Sequence, residues 1–487
     1  MAVCYSGFRL GGQLAYREDL GSHASCVRGS IANCIRARIG MGESSKQLRD
    51  EAVLVSVVVV NYNGGEAILD CLQSVQLHTG HLVRSPAAEG MMGAGTDAAT
   101  EALPRPTQAA PTETTPTQTA RTQAALTEAA QPLCEGVEVL VVDNASDDGS
   151  PDAIKEKFPW VRLIPSGANL GFGAGNNLGV RHARGEYLVF LNPDTLVSEG
   201  WLDALVGELM HGGGSREANS REASSGDAGP GDAGSGDGGS REALNVRPEV
   251  GLVTSKILMA DNPDIINTCG NNVHLTGITL CRGLGEPRTA MGKVEDVSAA
   301  SGAAFAMRRE VFEKLGGFDE DMFLYMEDTD LSLRAQLAGY RCRYVPGSIV
   351  LHRYALKMTP MKVFYQERNR YLTLLKNLRW ATLAVLLPAA LWAEVITWAF
   401  VALRDRANAG NKIRAYRWIW SNWKSILRKR ATAQSLRRAP DRAIVRSMSI
   451  RLDFGQATSP ALALVGHIVF DPIFALFKLV ALAIVWW

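Results

Sequence analysis

The segment FLYMEDTDLSLR, Phe323 to Arg334, places three acids, Glu327, Asp328 and Asp330, where an apolar run gives way to helical spacing. Acids in a first turn satisfy free N–H groups and complement the helix dipole. Asp330 and Arg334 also form an i,i+4 pair. The same placement suits a general base, a carboxylate held beside a reacting hydroxyl. Capping and catalysis both stand on this segment alone. LNPD, Leu191 to Asp194, ends an apolar run with Asn192 and Asp194 two apart. Such oxygen ligands suit a hard divalent cation and leave room for phosphate oxygens. An amide and one carboxylate make a thin set, so a further ligand must come from elsewhere. His352, in SIVLHRYALK, is the best candidate, although a lone histidine is more often structural; as a ligand, an imidazole favours Mn2+ or another transition ion over Mg2+.

Asp143, in VVDNASDDGS, can accept hydrogen bonds from a base or sugar edge; the same mix of Asp, Asn, Ser and Gly also makes turns. NLGFGAGNNLG, Asn169 to Gly179, misses the dinucleotide fingerprint and does not follow the first strand, which argues against a nicotinamide enzyme. Its glycines open a helix where the backbone can approach a partner closely and an anion is favoured, or they mark a strand-to-helix turn.

These residues need elements to hold them. VLVSVVVVNYN (53–63) is a β-branched run of the kind buried on both faces of a parallel sheet. GGEAILDCLQSVQLH follows with helical spacing. The alternation continues through VEVLVVD, SPDAIKEKF with a proline near its start, VRLIP, GAGNNLGVRHA and EYLVFLNPD. It predicts an α/β fold with a largely parallel sheet. Ligands then bind beyond the carboxyl ends of the strands, where Asn61, Tyr62, Asn63, Asp143, Asn144, Asn192 and Asp194 fall.

Residues 1–50 lack sustained periodicity and read as a poorly ordered extension without the apolar core of a secretory signal. Two stretches, about 84–132 (Ala, Thr, Pro, Gln) and 212–247 (GSREA-like repeats), read as solvated, disordered inserts with too little apolar surface to offset ordering entropy. Without them, 51–380 is one domain of ordinary size. The chain has 51 basic and 50 acidic residues, net +1, a balance that argues against nucleic acid as a partner. Its eight cysteines show no CxxC spacing and read as reduced thiols.

The last region, 381–487, holds two long apolar stretches, 381–403 and 460–487, interrupted by Pro388, Glu394, His467, Asp471, Pro472 and Lys478. Between them, 404–451 holds fourteen Lys and Arg against Asp405 and Asp441 alone. Two spans would set those cations on the far side from the catalytic domain, against the tendency of positive loops to stay inside. Amphipathic or re-entrant helices at the inner leaflet fit better; a soluble helical subdomain packed on the core is the other reading.

Taken in order, VSVVVVNYNG, VLVVDNASDDGS, NLGFGAGNNLGVRHARGEYLVFLNPD, SGAAFAMRREVFEKLGGFDEDMFLYMEDTDLSLRAQLAGYR and HRYALKMTPMKVFYQERNRYLTLLKN resemble a family-2 glycosyltransferase of the GT-A fold, rhamnosyltransferase-like branch. They cover most of 53–378. The resemblance implies that Asn61, Tyr62, Asp143, Asn169, Gly171, Asn177, Asn192 and Asp194 bind a nucleotide-sugar donor. Asp194, matching the last acid of a DxD signature, and His352 would hold Mn2+ or Mg2+. Asn192 stands in place of the first acid, so tight metal dependence is not implied. Asp328 would be the base and Glu327 its support; Gly302, Ala303, Asp330 and Arg334 would face the acceptor, and Arg368 and Asn369 the phosphates.

The implied activity is inverting transfer of a sugar, rhamnose favoured, from a dTDP- or UDP-sugar to a lipid-linked or cell-envelope glycan, at the cytoplasmic face of the cell membrane. Two alternatives remain. A polyprenyl-phosphate glycosyltransferase would want cleaner spanning helices, and Asp194, Asp328 and His352 argue against a silent nucleotide-sugar-binding scaffold.

Overall fold

A computed structural model of the chain describes residues 53–79, 136–212, 248–354, 359–404, 406–452 and 460–487. The expected N-terminal extension and both expected inserts, Gly212 apart, lie outside the described residues. The chain enters through β1 (Val55–Asn61), α1 (Gly65–Thr79), β2 (Val137–Asp143), α2 (Ser150–Lys157), β3 (Arg162–Pro165), α3 (Gly171–His182), β4 (Tyr187–Leu191), β5 (Thr195–Val197) and α4 (Trp201–His211). It continues through β6 (Val250–Met259), β7 (Ile266–Thr268), β8 (Asn271–Val273), β9 (Thr279–Cys281), β10 (Glu295–Asp296), β11 (Ala304–Arg308), α5 (Arg309–Leu315), α6 (Glu327–Leu337), β12 (Arg341–His352) and α7 (Pro360–Asn377). Five helices follow: α8 (Trp380–Arg404), α9 (Ala409–Ser421), α10 (Trp423–Ser435), α11 (Asp441–Ser447) and α12 (Pro460–Ile484).

The main sheet runs in the order β10-β12-β6-β11-β4-β1-β2-β3. β1 pairs in parallel with β2 and β4, and every residue of β1, β2 and β4 is buried, as an unbroken β-branched or apolar run requires. β11 breaks the parallel pattern, lying antiparallel between β4 and β6. Helices cover both faces: Ile68, Leu72, Ile154, Trp201 and Leu205 pack on one, and Val180, Phe312, Leu331 and Ala335 on the other. The result is the mostly parallel, helix-flanked sheet that the alternation predicts.

Two glycines let α3 lie directly on β1. A Cβ at Gly179 would meet a Val58 methyl at 2.4 Å, and one at Gly175 would meet Val60 at 2.9 Å. α7 starts cleanly because Thr359 accepts from Lys362 N–H at 3.2 Å and Pro360 needs no N–H partner. The C-terminal helices share a core with the sheet domain: Leu333 of α6 and Leu374 of α7 cluster with Ala389, Ile396, Val445 and Phe474.

Candidate active site

The loop before α6 is bent in an uncommon way. Phe323, Tyr325 and Met326 take φ of 59°, 68° and 69°, a left-handed region that costs a non-glycine residue about 1–3 kcal/mol. The surroundings enforce it. Phe172 N–H donates to the Phe323 carbonyl at 2.8 Å, an approach only glycine permits at 171, where a Cβ would sit 2.2 Å from that oxygen. Asn369 Nδ2 donates to the carbonyls of Met322, Leu324 and Tyr325 at 3.0, 3.0 and 2.7 Å. Arg368 donates to Met322 O at 2.8 Å, and Asn177 brackets Phe318 through its N–H and C=O at 2.9 and 3.0 Å. So held, the loop delivers Glu327 and Asp328 to the first turn of α6.

Both acids line a cleft of about 260 Å3 together with Asn192, Gly302, Ala303 and His352. Asp328 Oδ2 accepts from Gly302 N–H at 2.7 Å and Asn271 Nδ2 at 3.3 Å, and Oδ1 from Thr329 N–H at 2.6 Å. Burial raises its carboxyl pKa above the usual range against the pull of the Gly302 and Thr329 N–H groups. Glu327 is buried with Oε2 unpartnered. Burial, then the neighbouring Asp328 charge, lifts its pKa from 4.5 to about 8.

Across the cleft, His352 Nε2 lies 3.3 Å from Asp194 Oδ1, while His352 Nδ1 faces Asn267 Oδ1 at 3.0 Å. An Nδ1–H donated to Asn267 leaves the Nε2 lone pair facing a buried carboxylate oxygen that has no hydrogen-bond partner. Two ligands at right angles about a metal, each ~2.1 Å away, would stand ~3 Å apart. The pair therefore fits two corners of a cation site whose remaining positions would fall to substrate oxygens. Among the described residues no third His, Cys, Asp or Glu joins them.

At the carboxyl ends of β1 and β2, in register, Asn61 Nδ2 donates to Asp143 Oδ1 at 3.2 Å and to Ser150 Oγ at 2.9 Å, and Asn61 Oδ1 is buried without a partner. Sequence positions 82 apart thus form one polar corner. Tyr62 beside it is 48% exposed.

Several expected site residues lie elsewhere. Asp330 and Arg334 do not line the cleft. They sit on the opposite face of α6, paired at 2.8 Å, with Lys376 2.9 Å from the other Asp330 oxygen. Although burial opposes it, Lys376 and then Arg334 hold the Asp330 carboxyl below its usual range. Arg368 and Asn369, expected at the phosphates, donate to loop carbonyls on the inner side of the strained turn. Asn177 and Gly171 likewise hold that loop, and Asn169 Oδ1 accepts from Gly171 N–H at 2.9 Å at the start of α3.

The sequence offered no periodic or motif signal for Asn267, Asn271 and Lys362. The first two hydrogen-bond to His352 and Asp328 from β7, which pairs with β6, and from β8, which pairs with β9. Lys362 lines the cleft from the first turn of α7, 5.4 Å from the Tyr325 ring centre, with no carboxylate in ion-pair range among the described residues.

Comparison with known proteins places the chain in a family. Residues 120–227 match the family model described as glycosyl transferase family 2, and residues 243–487 that of glycosyl transferase family group 2. The N-acetylglucosaminyl-diphospho-decaprenol L-rhamnosyltransferase of Mycobacterium tuberculosis is 32% identical over 246 residues, spanning 45% of this chain and 67% of that protein. Rhamnosyltransferase WbbL of Escherichia coli K12 is 28% identical over 225 residues, spanning 45% and 73%. The solved S. aureus TarS in complex with UDP-GlcNAc aligns more loosely, with a TM-score of 0.41 and 13% identity over 88% of this chain and 89% of that one. The chain belongs to the family-2 glycosyltransferases, on the rhamnosyltransferase-like side of that family.

Proposed function

We propose that the protein is an inverting glycosyltransferase that moves a sugar, rhamnose being favoured by its relatives, from a dTDP- or UDP-sugar to a hydroxyl of a lipid-linked cell-envelope glycan. One observation carries the reading: Asp328 of α6 and His352 of β12 line a single cleft, and Asp194, between β4 and β5, lies 3.3 Å from the His352 ring. Inverting displacement needs that geometry, a base facing the attacking hydroxyl and positive charge facing the departing diphosphate.

The residues divide the task by what they can still bond to. The Gly302 and Thr329 N–H groups fix the Asp328 carboxylate, and each oxygen retains acceptor capacity for the acceptor O–H. Its raised basicity suits proton removal. Glu327 keeps its proton below about 8, so Asp328 carries the charge of the pair and Glu327 supplies a donor. Asp194 and His352 would hold Mn2+ or Mg2+, which stabilises charge developing on the diphosphate. Lys362 adds a cation for the same phosphates. Asn61 and Asp143 would receive the nucleoside. The test is nucleotide release from a panel of dTDP- and UDP-sugars, with Mn2+, with Mg2+ and after chelation. Donor-specific release stimulated by metal is expected; silence toward every donor with a lipid-linked acceptor present would sink the reading.

A further inference from the structure

We propose that the protein lies on one face of an anionic membrane without crossing it, seated through the outer sides of α8, α9, α10 and α12. The inference rests on the lipid-linked acceptor of the proposed function and adds how the enzyme meets the bilayer carrying it. By composition, α8 and α12 each hold an apolar stretch long enough to span: 380–403 and 466–484. At 25 residues, α8 is roughly 37 Å long, against a hydrocarbon layer of about 30 Å. Length alone therefore permits crossing.

The packing forbids it. Were α8 to cross, the chain after Arg404 would emerge on the far side. Yet Lys412 of α9 lies 3.0 Å from Glu394 of α8 and 2.9 Å from Glu367 of α7. Arg430 of α10 donates to Leu378 O at 2.5 Å and stacks 4.0 Å over the ring of Trp380, where α8 begins. Asp441 of α11 accepts from Arg379 N–H at 2.8 Å and Thr382 Oγ at 2.6 Å. Trp487, after α12, reaches Thr382 at 2.9 Å. Both halves of α8 are thus tied by one returning segment to α7, the helix that borders the cleft. Glu394, which would sit deep in hydrocarbon, is instead closed into a protein cluster with Arg370, Lys412, Tyr371 and Tyr416.

What remains outside has the composition of an interfacial surface. Leu387, Leu391 and Val395 form an exposed stripe on α8, and Leu476, Leu479 and Val480 an exposed stripe on α12. On α9 and α10, exposed Ile413, Trp420, Trp423 and Leu427 alternate with exposed Arg414, Arg417, Lys424 and Arg428. A mostly apolar groove of about 450 Å3, walled by Trp398, Ile419, Trp420 and Trp423, joins the two zones. Asp405 and Asp441 are the acids of 404–451, and Asp441 is buried against Arg437. Basic and aromatic together, the surface complements acidic headgroups over an acyl layer.

Two measurements on the full-length protein test this. Flotation with phosphatidylglycerol-containing vesicles should exceed flotation with pure phosphatidylcholine, and Lys424→Glu with Arg428→Glu should weaken it at least tenfold, at ~1 kcal/mol per lost basic contact. Transfer to a soluble acceptor analogue should be unchanged in that variant, which separates failure of the surface from failure of the enzymatic reading. Lys424→Cys, expressed in a bacterial host and mapped by mass spectrometry, should react with an impermeant maleimide in inverted vesicles and not in intact spheroplasts. Labelling from outside, or equal flotation with neutral vesicles, would overturn the proposal.

Discussion

The two faces of α6 hold acids in opposite circumstances. On one, Asp330 is enclosed with Arg334, Lys376 and Asn377, and Lys376 and Lys429 also close on Asp319. Every charge there meets an opposite charge, and the cluster bolts α6 to α7 and α10. On the other face, Glu327 and Asp328 line a cleft with N–H and amide donors around them and no cation in ion-pair range among the described residues. Paired acids hold the fold and unpaired ones face the cleft; the residue type is the same, and its partners decide its use.

The sharpest way to break that comparison is Asp328→Asn. Transfer should fall ~10^3-fold or more, within or beyond what a positioned base supplies, with donor binding and Tm kept. An active, fully folded variant would move the base to Glu327. Lys376→Met should do the reverse, costing about 3–5 kcal/mol by stranding buried carboxylates and lowering the urea midpoint, while whatever stays folded keeps its kcat. Asn369→Ala removes the amide N–H donors that hold three carbonyls of the bent loop and should lower kcat roughly 10–100-fold with little change in donor KM, since misplacement alone costs that much. Unchanged kcat would mean the loop holds its shape without them.

The smallest effect belongs to Glu327. Its pKa stands near 4.5 in the unfolded chain and is raised to about 8 in the folded one. Between those values the folded state holds the extra proton, so stability falls as pH rises through the window and levels off above about 8. Glu327→Gln, which mimics the protonated form, should flatten that slope, read as Tm against pH; a slope equal in both proteins would show that the raised value is wrong.

Much of the framework was legible from sequence. The β-branched runs at 53–63 and 137–143 and the apolar run before Asn192 specified buried strands, and unbroken runs without period-2 alternation point to strands buried on both faces of a parallel sheet. The family likeness pointed to Asp194, His352 and Asp328; Asp328 and His352 line one cleft, and Asp194 lies 3.3 Å from His352. Arg368, Asn369 and Asn177 were legible as important polar positions, but not as loop holders. Their partners are carbonyl oxygens of another segment, and a backbone acceptor has no letter in the sequence. Asn267 and Asn271 were invisible for a different reason: their partners are the side chains of His352 and Asp328, 85 and 57 positions away, brought near only by the tertiary fold.

What the sequence by itself determined was local: strand, helix and turn, set by side-chain shape and hydropathy period over a few residues, and the presence of acids able to do chemistry. Tertiary structure decided which acids are neutralised and which stay open, and that the segment after α8 folds back onto α7 and α8. Both depend on through-space contacts between charges tens or hundreds of positions apart, such as Asp330 with Lys376 and Glu394 with Arg370. Coulomb attraction and desolvation follow distance and burial, and neither quantity exists until the chain has folded.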